Sequence, residues 1–269
     1  MSSQLAQWRH GAEEAAKLGA GILEHWRSKF SVREKGRADL VTEADLASQK
    51  AIQAFLKEQF PDHDFLGEED PGAKEGRGPS ADAPPTWIVD PLDGTANYVH
   101  DVPAYCVSIG LMVAGELVVG VIYDPRMNEM FSSAKGLGAT LNGQPIRVSE
   151  THLLANAMMS TGFPPDPDKQ ERNLFWWKKF TYQAQALRRT GSTALNMAYV
   201  SCGRFDAYWA FDNYAWDVAA GVVLIREAGG IVTRVSGEKC DPFQQDLVGA
   251  NPAIHQQLIE SLAANPDKV

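Results

Sequence analysis

Trp87-Ile88-Val89-Asp90-Pro91-Leu92-Asp93-Gly94-Thr95 is the stretch of this 269-residue chain on which its fold and chemistry turn. The apolar run 86–89 reads as a short buried strand. It ends abruptly in one carboxylate, and a second follows three residues later. Pro91 fixes the backbone between them, so a stiff turn holds both side chains. Gly94 allows close approach to a ligand with no Cβ in the way. If Thr95 opens a helical turn, its free N–H groups suit a phosphate oxygen. Carboxylates arranged in this way meet what a pair of hard cations requires in phosphoryl chemistry. Asp-Gly is equally a common hairpin turn, and on this segment alone that plainer reading stays open.

Upstream, residues 4–29 carry apolar side chains at helical spacing, and Leu46, Ile52, Phe55, Leu56 and Phe60 mark a second helix capped by Thr42 or Asp45. Between them, 33–39 is polar, with Gly36 as a hinge. Residues 70–85 read as a long surface loop. Downstream, 107–113 and 117–123 are strands, and Asn142-Gly143 turns a hairpin. The first half is thus two helices followed by antiparallel strands. The second half alternates: helices at 171–185, 193–201 and 217–228, the last amphipathic; strands at 205–209, 231–235 and 247–250; and a terminal helix at 252–262 opened by Pro252. The class is α+β, helices packed on sheets, in one domain spanning 1–269 with subdomains at about 1–150 and 151–269.

Further acids and small polar residues lie elsewhere. Gly67-Glu68-Glu69-Asp70 places three acids at the mouth of the long loop; Glu68 or Glu69 could complete a Mg²⁺ site, although such runs are usually solvated faces. Asp45 is either part of a helix start or a partner directed at Thr95, a pair able to take a proton from a metal-bound water. Asp217 opens an apolar helix, where capping and metal binding are compatible. Gly191-Ser192-Thr193 precedes another helix, and its N–H groups could meet a substrate hydroxyl or phosphate. The six histidines are scattered and show no ligand spacing.

A formal net charge of -9 gives no basic footprint for nucleic acid or an anionic membrane. An acidic protein that handles an anionic substrate needs positive charge from elsewhere, and bound divalent metal supplies it. No apolar run approaches the roughly 20 residues of a membrane span. Three cysteines without close pairing fit a reducing compartment, so the cytoplasm is the expected location. No P-loop or nucleophile elbow is present.

Taken together, Asp90 to Asn97, Trp216 to Gly221 followed by Glu227 to Gly230, Asp39 to Asp45 and Gly67 to Glu69 resemble the motifs of the inositol monophosphatase family, in the expected order. The resemblance covers residues 35–251. It implies the layered αβαβα sandwich of these sugar-phosphatase-like enzymes, usually a homodimer in which two or three Mg²⁺ ions hydrolyse a small phosphomonoester with lithium sensitivity. It implies Glu68, Asp90, the Leu92 carbonyl, Asp93 and Asp217 as metal ligands, with Glu68 also catalytic. Asp45 and Thr95 would activate water, Gly94 and Thr95 amides would hold phosphate, and Lys35 and Glu69 would lie at the entrance. Gly191, Ser192, Thr193 and Asp217 would face the substrate. Ala210 departs from the pattern: close members that prefer inositol phosphates carry a ring-gripping Glu there. Asp212 is nearby. The reaction is therefore better specified than the substrate, and histidinol phosphate, fructose 1,6-bisphosphate, NADP and a 3′-phosphonucleotide stay open. A haloacid-dehalogenase-type phosphatase fits worse, because its two acids stand one residue apart. A non-catalytic metal-binding regulatory protein on the same fold is the other alternative.

Overall fold

The structure is a computed structural model that describes residues 2–27, 29–36, 39–75, 78–164 and 166–264, and the backbone alone of 34–36, 39, 40 and 75. The chain opens with helix α1 (Ser2–Trp26), whose buried face is Gly11, Ala12, Ala15, Ala16, Gly19, Ala20 and Leu23. Small residues at i, i+4 spacing bring α1 close to the next long helix. The polar stretch expected to be a hinge is instead a hairpin of β1 (Val32–Gly36) and β2 (Asp39–Thr42). Thr42 then caps α2 (Glu43–Gln59).

A seven-stranded sheet follows, built in order from β3 (Asp64–Gly67), β4 (Thr86–Asp93), β5 (Cys106–Val113), β6 (Glu116–Asp124), β7 (Glu129–Ala134), β8 (Ala139–Leu141) and β9 (Gln144–Pro145), with the five-residue helix α3 (Thr95–Val99) after β4. It is antiparallel except for β3, which runs parallel to β4. β4 does not stop at Asp90 as its sequence suggests. It pairs with β5 through Asp90↔Ser108 and again at Asp93↔Cys106, three residues against two. The extra residue is a bulge containing Pro91, which lacks a ladder donor. Bulge, not turn, sets the two carboxylates.

The second sheet combines β10 (Met158–Thr161), β11 (Ala186–Arg188), β12 (Ala207–Ala210), β13 (Ile231–Thr233) and β14 (Leu247–Ala250) in the order β11-β10-β12-β14-β13. Helices α4 (Glu171–Thr181), α5 (Thr193–Ser201), α6 (Ala215–Glu227) and α7 (Pro252–Ala263) complete the chain. α4 is shorter than its sequence suggests, because the segment after it returns to the sheet edge as β11.

Five layers result. α1 and α2 cover one face of the large sheet, α5 and α6 fill the space between the sheets, and α4 and α7 cover the outer face of the smaller one. α6 is not amphipathic: every residue from Val218 to Ile225 is buried, because sheets flank it on both sides. Its contact with β6 is backbone-close. A Cβ on Gly120 would sit 2.2 Å from the Ala220 carbonyl oxygen. Among the described residues no helix is long and apolar enough to cross a membrane.

Candidate active site

The layering brings four acids from three distant segments to one place. Glu68 follows β3, Asp90 and Asp93 sit on the bulge of β4, and Asp217 lies in the first turn of α6. All four line one cavity of about 630 Å³ with Leu92, Gly94, Thr95, Gly191, Ser192 and Thr193. A second cavity of about 550 Å³ shares Glu68, Asp93, Thr193 and Asp217 with it and extends toward Asp212.

Asp90, Asp93 and Asp217 are each anchored by backbone. Asp90, 2% exposed, accepts the Leu92 N–H at 3.0 Å. Asp217 accepts the Tyr214 N–H at 2.7 Å; it stands at the third position of α6, not at the cap. Asp93, 8% exposed, accepts the Ser192 hydroxyl at 2.5 Å, the Ala194 N–H at 2.6 Å and the Thr193 N–H at 3.2 Å. Burial, then the charges of Glu68, Asp93 and Asp217, push the Asp90 carboxyl well above its ordinary range. Burial and the charge of Glu68 do the same to Asp217. Burial raises Asp93 to about 6, with the Ser192, Ala194 and Thr193 hydrogen bonds opposing the rise. The cavity therefore concentrates unfavourable negative charge, which a cation would relieve.

The donor set tests what that cation could be. It is all oxygen, from carboxylates and the Leu92 carbonyl, which suits Mg²⁺ and offers nothing to a soft metal. Among the described residues no three acidic, histidine or cysteine side chains are already closed around one point at metal-binding spacing. The acids line an open cavity, and part of their acceptor capacity is committed to amides. The residues fit a hard divalent cation.

Asp45 satisfies both readings made from its sequence. It is fully buried and closes the α2 capping box: its Oδ2 accepts the Thr42 N–H at 2.9 Å and the Thr42 hydroxyl at 2.5 Å. Its Oδ1 accepts the Thr95 hydroxyl at 3.3 Å, and Thr95 also reaches the Leu92 carbonyl at 3.2 Å. Thr95 begins α3 as expected.

Three expectations need correction. Gly94 is required by its own φ of 97° and by the Ala104 carbonyl oxygen, 2.9 Å from where a Cβ would lie, so protein backbone and not a ligand claims that space. The N–H groups opening α5 do not wait for substrate: those of Thr193 and Ala194 are spent on Asp93, and the Ser192 hydroxyl caps α5 while donating to the same carboxylate. The run Glu68 to Asp70 is not a solvated face. Asp70 turns inward to the Gly67 N–H at 2.8 Å and Gln49 at 2.9 Å, and the Glu69 N–H donates to Gln49. The side chain of Lys35 lies outside the described residues.

Ala210 is buried in the apolar layer between sheet and helix and offers no polar atom. Asp212 takes a φ of 61°, lines the second cavity and pairs with Arg172 at 3.3 Å. Sequence reasoning missed Asn213, Lys74 and Arg189 at these walls, and Arg172 bonded to Asp212. Only the polar character of 212–213 beside the Ala210 departure signalled any of them.

A layered αβαβα sandwich with four acids from three segments gathered at one cavity defines a phosphoric monoester hydrolase. Comparison with known proteins agrees: the model of the inositol monophosphatase family matches residues 4–267, and the chain belongs to that family. It is 42% identical to the inositol-1-monophosphatase of Synechocystis over 98% of this chain and 91% of that one. It is also 42% identical to the Nus factor SuhB of Pseudomonas aeruginosa over 87% of this chain and 86% of that one. The solved inositol monophosphatase of Anabaena superposes with a TM-score of 0.84 at 37% identity, covering 97% of each chain.

Proposed function

We propose that this chain hydrolyses a small phosphomonoester of the inositol-1-phosphate kind with two or three Mg²⁺ ions held by Glu68, Asp90, the Leu92 carbonyl, Asp93 and Asp217. The observation that carries the proposal is the gathering of buried Asp90 and Asp93 with part-buried Asp217 and Glu68 at a shared cavity, a charge arrangement that is costly without a cation. When bound, Mg²⁺ lowers the pKa of water and neutralises phosphoryl oxygens.

The chain's own groups do the rest. Thr95 would pass its hydroxyl proton to Asp45 Oδ1 as its oxygen takes one from the attacking water on the cavity side, so the carboxylate is the final acceptor. Asp45 is held for this by the α2 capping box, so the pair costs little reorganisation. Gly94 and Thr95, at the start of α3, are the proposed amides for the phosphate, and Ser192 and Thr193 hold Asp93 in place. Glu68, on the segment after β3, serves both as ligand and in orienting water.

The names of the relatives favour an inositol phosphate over histidinol phosphate, fructose 1,6-bisphosphate, NADP or a 3′-phosphonucleotide. A phosphate-release screen over these five esters, with Mg²⁺ and with EDTA, tests the reading. Release only with Mg²⁺, and fastest from inositol 1-phosphate, is expected; release from none would refute it. Lithium in the millimolar range is expected to slow turnover at fixed Mg²⁺.

A further inference from the structure

A third cavity, of about 310 Å³, shares no residue with the two described above. Leu56 and Lys57 line it from the end of α2, Asp64 and Phe65 from the start of β3, Trp87 from the start of β4, and His63 from the turn before β3. Asp45, Glu68 and Asp90 stand toward the opposite ends of these same three elements. The pocket is therefore separate from the acidic site.

Two of its walls carry unmade hydrogen bonds. Trp87 is 1% exposed, and its Nε1 is buried with no hydrogen-bond partner among the described residues. The Nδ1 of His63 is also buried and without one. Both rings belong to one aromatic cluster. His63 stacks on Phe60 with ring centres 5.2 Å apart, lies 5.6 Å from Trp87 and meets Trp8 edge-on at 5.5 Å. Packing accounts for the rings but leaves both nitrogens unsatisfied, which is unfavourable in an interior.

The two nitrogens define what would satisfy them. An indole N–H only donates. Burial holds the His63 pKa below its ordinary value, so the ring is neutral at pH 7 and Nδ1 donates or accepts according to its tautomer. A ligand that meets both must bring an acceptor to Trp87 and a second polar group to His63 close by. A carboxamide carries a carbonyl oxygen and an NH₂ on one carbon. The flat and apolar walls, Phe65 and Leu56 among them, suit an aromatic ring, and the volume stands near the lower end of small-molecule sites, so one or two rings fill it. Charge is balanced. Lys57 and Asp64 oppose each other at the exposed rim, and the Lys57 ammonium donates to the Pro61 carbonyl at 2.5 Å. Neither a carboxylate nor an ammonium ligand finds a net counter-charge there.

We propose that this pocket is a binding site for an uncharged aromatic carboxamide, held by Trp87 Nε1 and His63 Nδ1.

The test is a titration of the ¹⁵N-labelled full chain with benzamide, followed through its indole N–H resonances. The chain has seven tryptophans, and the Trp87 signal is assigned from its proximity to the Phe60 and His63 rings. Benzamide is expected to shift that signal saturably, with a dissociation constant of about 1 mM or tighter for a ligand of this size. Trp176 and Trp209, packed against Phe180 in the other half of the fold, should stay in place. Benzoate and benzylamine, which carry the same ring with opposite charges, should bind about tenfold more weakly or worse, and propionamide, which lacks the ring, should not shift Trp87. His63→Phe keeps a flat ring and removes Nδ1, so benzamide should bind it about tenfold more weakly. The absence of a saturable Trp87 shift in wild type overturns the proposal. So does equal binding of benzoate, benzylamine or propionamide, and so does unchanged affinity in His63→Phe.

Discussion

The Ser192 hydroxyl oxygen lies 2.5 Å from Asp93 Oδ2 and accepts the Leu195 N–H at 3.1 Å from its other side. With the lone pair committed to the helix cap, the hydroxyl proton points at the carboxylate. One side chain therefore fixes both the start of α5 and the orientation of a proposed metal ligand 99 residues away.

Ser192→Ala is expected to raise the Mg²⁺ concentration for half-maximal activity about tenfold or more. The hydrogen bond to a charged acceptor is worth about 1.5–3 kcal/mol, and loss of the cap removes about 1 kcal/mol of stability. Ser192→Thr keeps the hydroxyl and should restore most of the affinity. Mg²⁺ titrations of activity and of melting temperature check both, and an unaltered Mg²⁺ requirement in Ser192→Ala would remove Ser192 from this role.

Asp45 and Thr95 make a sharper case, because their bond joins a helix cap to the reacting region. Thr95→Ala should lower kcat by about 10²–10⁴, the range of a lost proton-transfer group, while Thr95→Ser retains much of it. The melting temperature should change little, since Thr95 is only partly buried. Asp45→Asn should damage both properties, because it weakens the capping box of α2 as well. A Thr95→Ala enzyme with near-normal kcat would exclude the pair from water activation.

Mg²⁺ should stabilise the fold. Asp90, Asp93 and Asp217 are all raised by burial and by like charges, so at neutral pH the ionised cluster opposes folding. Mg²⁺ at 100 times its dissociation constant adds about 2.7 kcal/mol. Differential scanning calorimetry in EDTA and then in 10 mM-scale MgCl₂ should show the shift, and Asp93→Asn should shrink it. Identical melting curves would argue against a cation at these acids.

Two histidines set an acid limit that is independent of the site. Burial pushes the pKa of His63, stacked on Phe60, and that of His255, bonded to Thr233 at 2.9 Å, below their ordinary value near 6.5. The folded protein binds these protons less readily than the unfolded chain. Their neutral forms are fully compatible with the fold above pH 6.5, and stability falls as pH drops through that value toward their lowered pKa values. Protonation of the raised Asp93 acts in the opposite sense over the same window, so the histidine contribution is the difference between proteins: the melting temperature of wild type relative to His255→Gln should decline below pH 6.5. A His255→Gln variant whose melting temperature follows the same pH dependence as wild type would contradict the assignment.

These features differ in how far they could be read from sequence. The segment Trp87 to Thr95 was informative because its signals are local: an apolar strand, two acids and a Gly-Thr helix start lie within nine residues. Ser192 looked like an ordinary cap, because its second partner is supplied by β4. β7 was missed because Ser132 and Ser133 break its apolar pattern. Both are buried, with Ser132 donating to Glu13 and Ser133 to the Gly120 carbonyl, and only the tertiary fold provides those partners. β11 lies just beyond the helix read at 171–185 and went unassigned, since a three-residue edge strand carries almost no periodicity. The burial of α6 on all sides follows from a second sheet that no local pattern announces.

Gly120 offers the clearest test of that packing. A Cβ there would meet the Ala220 carbonyl oxygen at 2.2 Å and its Cα at 3.0 Å, which is backbone that cannot rotate aside. Gly120→Ala should therefore push α6 away from β6 and cost about 1–3 kcal/mol or more. Asp217 stands three residues before Ala220 on the same helix, so the displacement should reach the proposed metal site and raise the Mg²⁺ requirement together with the loss of stability. Gly143→Ala provides the contrast. Its φ of 78° penalises alanine, yet nothing lies within 4 Å of the new Cβ, and the β8–β9 turn is remote from the cavity. That variant should lower the melting temperature by a few degrees, for a cost of about 1 kcal/mol, with an unchanged Mg²⁺ titration. If both variants lose stability but neither alters Mg²⁺ activation, the position of α6 does not govern the site.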